Sequence, residues 1–276
     1  MSGRAPITAA EAVRFAREAL SGGEAAVGVT VVESEGGPPA GTRMVVWADR
    51  AAGTLGTESL DAAAEALARE VLGGGARPGT QALEAEGARC GVYLEPHAPP
   101  PELVIVGAGH IARPLCRIGA MLGFRVRVLD DRPAFATRER FPEADEVRRA
   151  DFSDPFRGVP IGPGTHLVLV TRGHKYDFEA LRDVLRRPAS PAYVGMVGSR
   201  RRTRAALEQL AREEGIDPAR LKAVHAPVGL DVGAETPEEI AVSIAAEIVL
   251  VRRGGTGRPL RDTERVFERW IGKDGA

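Results

Sequence analysis

Four consecutive apolar residues, Leu103-Val104-Ile105-Val106, run straight into Gly107-Ala108-Gly109-His110-Ile111-Ala112. No other feature of the 276-residue chain restricts its fold as strongly. An all-apolar run of this length suits a strand buried on both faces, as the interior of a parallel sheet requires. Gly107 and Gly109 fit the pattern G-x-G-x-x-A. In it the first glycine makes a tight turn, the second lets main-chain N–H groups approach an anion, and the small third residue permits close helix packing. Beyond the turn, Ile111, Leu115, Ile118 and Leu122 have the spacing of one helix face. Strand, turn and helix together predict a phosphate-bearing ligand held at a helix N-terminus, around Gly107, Gly109 and His110. The competing reading is a tight strand-to-helix connection with no ligand. Pro114 sits deep enough in this helix to predict a small kink.

Strand-like runs recur at Arg125–Leu129, Glu146–Arg149, His166–Thr171, Tyr193–Val197 and Ala223–Ala226, with helical stretches between them. Such alternation implies right-handed crossovers and a parallel sheet covered on both faces. The predicted strand order is 3-2-1-4-5-6, a Rossmann-type doubly wound domain over residues 103–253, with its crevice between the ends of strands one and four. Thr236-Pro237-Glu238-Glu239 predicts a helix start, with Thr236 as N-cap, Pro237 at the first position and Glu239 closing a capping box. Residues 254–276 read as a tail with a short helix.

The first 95 residues follow a different pattern. Thr8 and Glu11 predict a capping box for a helix whose apolar face is Ala12, Phe15, Ala16 and Ala19. Strands are expected at Ala26–Val32 and Met44–Trp47, with a loop over Glu33–Gly41. Leu60, Ala64, Leu67 and Val71 mark a second helix stopping at Gly73, and a hairpin turns at Gly87. This is a smaller α+β domain, so the whole chain is of α/β class. Pro96, Pro99, Pro100 and Pro101 then make a stiff connection over 96–102, the expected domain boundary.

Charge and cysteine content exclude other classes. A formal net charge of -1 is not that of a general nucleic-acid binder. Cys90 and Cys116 are too far apart for a zinc knuckle or redox pair, so no metal site is expected. No stretch approaches the ~20 apolar residues of a membrane span, and MSGRAPITAAEA lacks an apolar signal core. The expectation is a cytoplasmic protein with no membrane and no nucleic-acid partner.

In a parallel sheet all strand C-termini share one edge. Asp130-Asp131-Arg132 stand where a Rossmann domain places an acid on a ribose hydroxyl; the arginine can equally hold a phosphate, and a plain polar loop is the third reading. Strand four ends in Thr171-Arg172-Gly173-His174. Strand five ends in Gly198-Ser199-Arg200, read either as a second anion site or as a solvated helix face. Asp231, with Glu235, lies in the approach to the last helix. Gly107, Gly109, His110, Asp130, Asp131, Arg132, Thr171, His174, Gly198, Ser199, Arg200 and Asp231 are therefore the candidate ligand-binding residues; no catalytic constellation is identified.

Five blocks taken in order resemble a known family. They are Gly107-Ala108-Gly109-His110; Asp131 to Phe135-Ala136 and Arg140-Phe141-Pro142; Thr171-x-x-His174-x-x-Asp177; Gly195-Met196-x-Gly198-Ser199-Arg200; and Gly229-Leu230-Asp231 through Thr236-Pro237-Glu238-Glu239. Together they resemble the xanthine dehydrogenase accessory factor family, XdhC/CoxI. The resemblance implies a protein that binds molybdenum cofactor, as molybdopterin or its dinucleotide, and helps load it into a molybdenum hydroxylase. It further implies the apoenzyme and a cysteine desulfurase as partners, and a homodimer. The N-terminal domain departs from the family's Gly-Thr-x-Gly-Gly-Gly-x-x-Glu turn, since Thr57 and Glu58 replace two glycines in Gly53-Thr54-Leu55-Gly56-Thr57-Glu58-Ser59-Leu60-Asp61. An NAD(P)-dependent oxidoreductase, with Asp130 or Asp131 on a ribose and His174 or Tyr176 supplying a proton, is the rival reading. A nucleotide-sensing regulator of the same fold is the third.

Overall fold

The computed structural model describes residues 3–85 and 87–263, and the chain divides between Pro99 and Pro100 into two compact units.

The first unit comprises α1 (Ala9–Ser21), β1 (Ala26–Glu35), β2 (Arg43–Trp47), β3 (Ala51–Gly53), α2 (Glu58–Leu72), β4 (Gly79–Ala85) and β5 (Ala88–His97). Its strands form one antiparallel sheet in the order β3-β2-β1-β5-β4. Thr8 and Glu11 close the expected capping box on α1. The α2 helix buries Leu60, Ala64, Ala68 and Val71 against Val29, Val31, Val92 and Leu94 of the sheet. Two sequence expectations need correction. β1 runs on to Glu35, because Glu33, Ser34 and Glu35 keep pairing with Gly91, Cys90 and Arg89 past an irregularity after Val31. Pro96 and His97 belong to the sheet rather than to the connection: they pair with Val27 and Ala26 at the end of β5.

The second unit comprises β6 (Glu102–Val106), α3 (Ala112–Met121), β7 (Arg125–Asp130), β8 (Glu146–Arg149), β9 (Thr165–Leu169), α4 (His174–Arg186), β10 (Tyr193–Met196), α5 (Arg200–Glu213), α6 (Pro218–Lys222), β11 (Val224–His225), α7 (Pro237–Arg253) and α8 (Leu260–Thr263). Its sheet is parallel throughout, in the order β11-β10-β9-β6-β7-β8. Renumbered from β6, this is the predicted doubly wound order. Two apolar clusters cover its two faces, one built on Val104, Val106 and Leu167, the other on Leu103, Ile105 and Val168. Thr236 and Glu239 form the predicted capping box on α7. The tail beyond Thr263 lies outside the described residues.

Of the large apolar residues expected on the buried face of α3, Leu115 is buried and Ile111 and Ile118 pack partly buried on the core, but Leu122 does not follow. Ala112, Leu115, Cys116 and Gly119 are buried, while Leu122 is 41% exposed. Small residues win because the helix lies close on the sheet: a Cβ on Gly119 would stand 2.5 Å from Leu103 Cδ2. Pro114 is the third residue of α3, where no intrahelical acceptor exists for an N–H, so it removes no helical hydrogen bond. The expected kink loses its cause.

Candidate anion-binding site

Gly107 ends β6 and donates its N–H to Leu129 O at 2.7 Å. Its φ is +107°, and a Cβ there would stand 2.5 Å from the Val170 carbonyl oxygen. Only glycine satisfies both conditions. Gly109 differs, since a Cβ on it would meet nothing within 4 Å. The space in front of the turn is open, and Gly109 borders it. His110 is exposed beside it. The α3 helix starts at Ile111 with no side-chain cap, and α4 starts at Gly173, also uncapped. These are the two helices that open over the junction of β6 with β9, so two helix N-termini whose N-cap residues give no side-chain cap border the switch point.

The two acids after β7 have separate roles. Asp130 is 1% exposed. Its Oδ2 accepts from the Ala108 N–H (2.7 Å) and Arg132 Nη2 (2.8 Å), and its Oδ1 from the Arg132 N–H (2.9 Å) and Nε (2.8 Å). Burial pushes this carboxyl's pKa up, but the bonds from Arg132 and Ala108 outweigh it and hold the group below its ordinary value. All its acceptor positions are thus spent on Ala108 and Arg132, and Asp130 ties the turn to Arg132 rather than offering an oxygen to a sugar. Arg132 is committed too, with its guanidinium 3.6 Å from the Phe135 ring centroid. Arg140 stacks on the same ring at 4.6 Å and donates to Ala108 O at 3.2 Å. Asp131 accepts from Arg172 Nη2 at 2.8 Å through Oδ2, while its Oδ1 is buried without a hydrogen-bond partner.

On the other side, Thr171 donates to Asp177 Oδ1 at 2.6 Å and accepts from the Gly173 N–H at 3.3 Å, closing the loop into α4. The side chain of His174 lies outside the described residues. Ser199 caps α5, accepting from the Arg202 N–H at 3.4 Å, and Arg200 is exposed. Gly198 packs close to Thr203, whose buried Oγ1 has no partner. Asp231 is exposed in the loop before α7. Sequence reasoning placed Arg172 at this edge and quoted Phe135 and Arg140 in a family block, but counted none of the three among the ligand-binding candidates. Among the described residues, no three His, Cys, Asp or Glu side chains converge as metal ligands, and no helix is long and apolar enough to cross a membrane.

A doubly wound parallel sheet with a glycine turn and two uncapped helix starts at its switch point defines a Rossmann-type binding domain. Residues 103–248 match the family model described as the XdhC Rossmann domain, and residues 19–83 match that of the XdhC and CoxI family. The chain belongs to the XdhC and CoxI family. It is 34% identical over 240 residues to the uncharacterized protein YqeB of Escherichia coli strain K12, covering 82% of this chain and 43% of the relative. A Bacillus subtilis strain 168 protein, named as a probable subunit of xanthine dehydrogenase, is 33% identical over 162 residues, covering 59% of this chain and 46% of that protein. The chain thus spans less than half the length of these curated relatives. A crystal structure described as a xanthine dehydrogenase from Bacillus halodurans shares the fold, with a TM-score of 0.51 at 21% identity over 91% of this chain and 97% of that one.

Proposed function

We propose that this chain binds molybdenum cofactor, as molybdopterin or its dinucleotide, and serves as an accessory protein for its insertion into a molybdenum hydroxylase of the xanthine dehydrogenase type. The observation that carries the reading is the open space at Gly109, bordered by the uncapped start of α3. Backbone amides with room before them suit the cofactor's phosphate or pyrophosphate. Family membership supports the class of cargo, and the Bacillus subtilis relative, by its name, supports the class of partner.

The cofactor supplies the metal centre at which the recipient enzyme does its chemistry. The work of this chain is to hold and present it. The Gly107–Gly109 turn takes the phosphate, and Ser199 and Arg200, at the start of α5, add a second anion contact. Cys90 and Cys116 are both buried, and burial pushes the Cys116 thiol up to about 12. Neither cysteine offers a thiolate at neutral pH, so any sulfur transfer to the cofactor falls to a partner, for which a cysteine desulfurase has the right chemistry. A homodimer completes the proposed assembly.

Gly109→Val tests the reading. A valine there meets open space, so the melting temperature should stay near that of the wild type, while copurifying pterin, measured by its fluorescence after oxidative release, should fall to background. A folded variant carrying wild-type amounts of pterin would remove the turn from the site. Arg200→Ala should weaken cofactor binding tenfold to a hundredfold, the equivalent of one charge-assisted contact of about 1.5–3 kcal/mol, with the gap narrowing as salt is added. Equal affinities in a titration at low salt would make Arg200 a solvated residue of the α5 surface.

A further inference from the structure

The crevice over β6 is crossed by an ion pair. Asp131 follows β7 and Arg172 follows β9, and β6 lies between those strands. The 2.8 Å contact between Arg172 Nη2 and Asp131 Oδ2 therefore passes over the strand that delivers Gly107. Arg172 is steadied from below by Tyr176, whose hydroxyl lies 2.9 Å from Nη2 and whose ring centroid lies 4.8 Å from the guanidinium. The pair is partly exposed, with side chains 40% and 27% accessible, so separating it is not costly. Asp131 is also incompletely used. Asp131 Oδ1 is buried and has no hydrogen-bond partner, and the neighbouring Arg132 is already bound to Asp130 and Phe135.

We propose that the Arg172–Asp131 pair is an exchangeable strap that selects ligands carrying both a phosphate and a ribose. This rests on the reading of the crevice as the cofactor site, and it singles out the dinucleotide form of the cofactor over the pterin monophosphate. A phosphate entering above Gly107 draws Arg172 away from Asp131, because the guanidinium can grip its oxygens through two parallel hydrogen bonds. That exchange alone leaves a carboxylate uncompensated beside an incoming anion. A ribose hydroxyl removes the difficulty by donating to Asp131 Oδ2, the oxygen that Arg172 leaves. Phosphate without ribose therefore pays for breaking the strap and gains only half of what replaces it.

Calorimetric titration of the full chain with ADP and with inorganic pyrophosphate tests this, with molybdopterin and its dinucleotide run in parallel. The wild type should prefer ADP over pyrophosphate by about tenfold or more. Asp131→Asn should bind pyrophosphate more tightly than the wild type does, because Arg172 is released and the repelling charge is gone, and its preference for ADP should shrink about tenfold. Arg172→Gln should weaken both probes by a similar factor of about ten. Both side chains are partly exposed, so unchanged melting temperatures should accompany these shifts. An Asp131→Asn variant in which both probes move by the same factor would overturn the strap, as would a wild type that binds neither. Binding of molybdopterin without ADP overturns the strap and leaves the cofactor reading standing. Binding of ADP with the stated preferences, but no binding of molybdopterin or of its dinucleotide, supports the strap and overturns the cofactor reading.

Discussion

Gly107→Ala is expected to destabilise the second unit by about 3 kcal/mol or more, and to lower its melting temperature by on the order of 10 °C. Two costs combine. The residue has φ +107°, which L side chains rarely adopt, and the new methyl would lie 2.5 Å from Val170 O and 2.8 Å from Val170 C. Both obstacles are backbone, so no side chain can swing aside to relieve them. Relief requires the ends of β6 and β9 to part, where Val170 N–H donates to Val106 O at 2.8 Å. Gly109→Ala is the control: a methyl there meets open space and should leave the unfolding midpoint almost unchanged. A Gly107→Ala midpoint within a degree or two of the wild type would mean that the turn relaxes cheaply, and the site would lose its rigid base.

Asp130→Asn should cost about 2–3 kcal/mol at neutral pH, the scale of a buried hydrogen-bonded charge losing its match. The one amide oxygen of asparagine can keep either the Ala108 N–H with Arg132 Nη2 or the Arg132 N–H with its Nε, but not all four. The effect should depend on pH, with a sign set by linkage. The folded-state pKa of Asp130 lies below its ordinary 3.8, so its contribution is complete above that value and is lost as pH falls through the folded pKa. Wild type and variant should therefore converge in stability on strong acidification and stay apart at neutral pH, as followed by urea unfolding. A gap independent of pH would show that shape, not charge, sets the role of Asp130.

The parallel sheet and both capping boxes are legible in the sequence because each rests on local chemistry. Leu103–Val106 has no polar residue to place in water, and Thr8 and Thr236 each find a glutamate three residues on. The division of labour between Asp130 and Asp131 is not legible. Two adjacent acids look alike in a string of letters, but successive side chains of an extended segment point in opposite directions. One turns in under the glycine turn and the other toward the crevice. The pairing of Arg172 with Asp131 was hidden for a related reason: the two are distant in sequence and become neighbours only through the strand order. The α3 face was legible in Ile111, Leu115 and Ile118 but not in its small residues, because large apolar residues mark a buried face only where there is space for them. Gly119 shows that here the helix needed closeness more than volume.

The central position of β6 also bears on when the crevice can exist during synthesis. β6 pairs on one side with β7, its immediate successor in the sheet, but on the other with β9, so Glu102 must wait for Thr165. A nascent chain that has emerged only through β8 has the glycine turn but neither Val170 behind it nor Arg172 across from it. Closing so long a loop is entropically costly and slow compared with local pairing. A cargo that needs both sides of the crevice will therefore ignore incomplete or misregistered chains, and by mass action it will hold completed ones in the native state. In the proposed role, cargo binding then doubles as a check on the completeness of its own carrier.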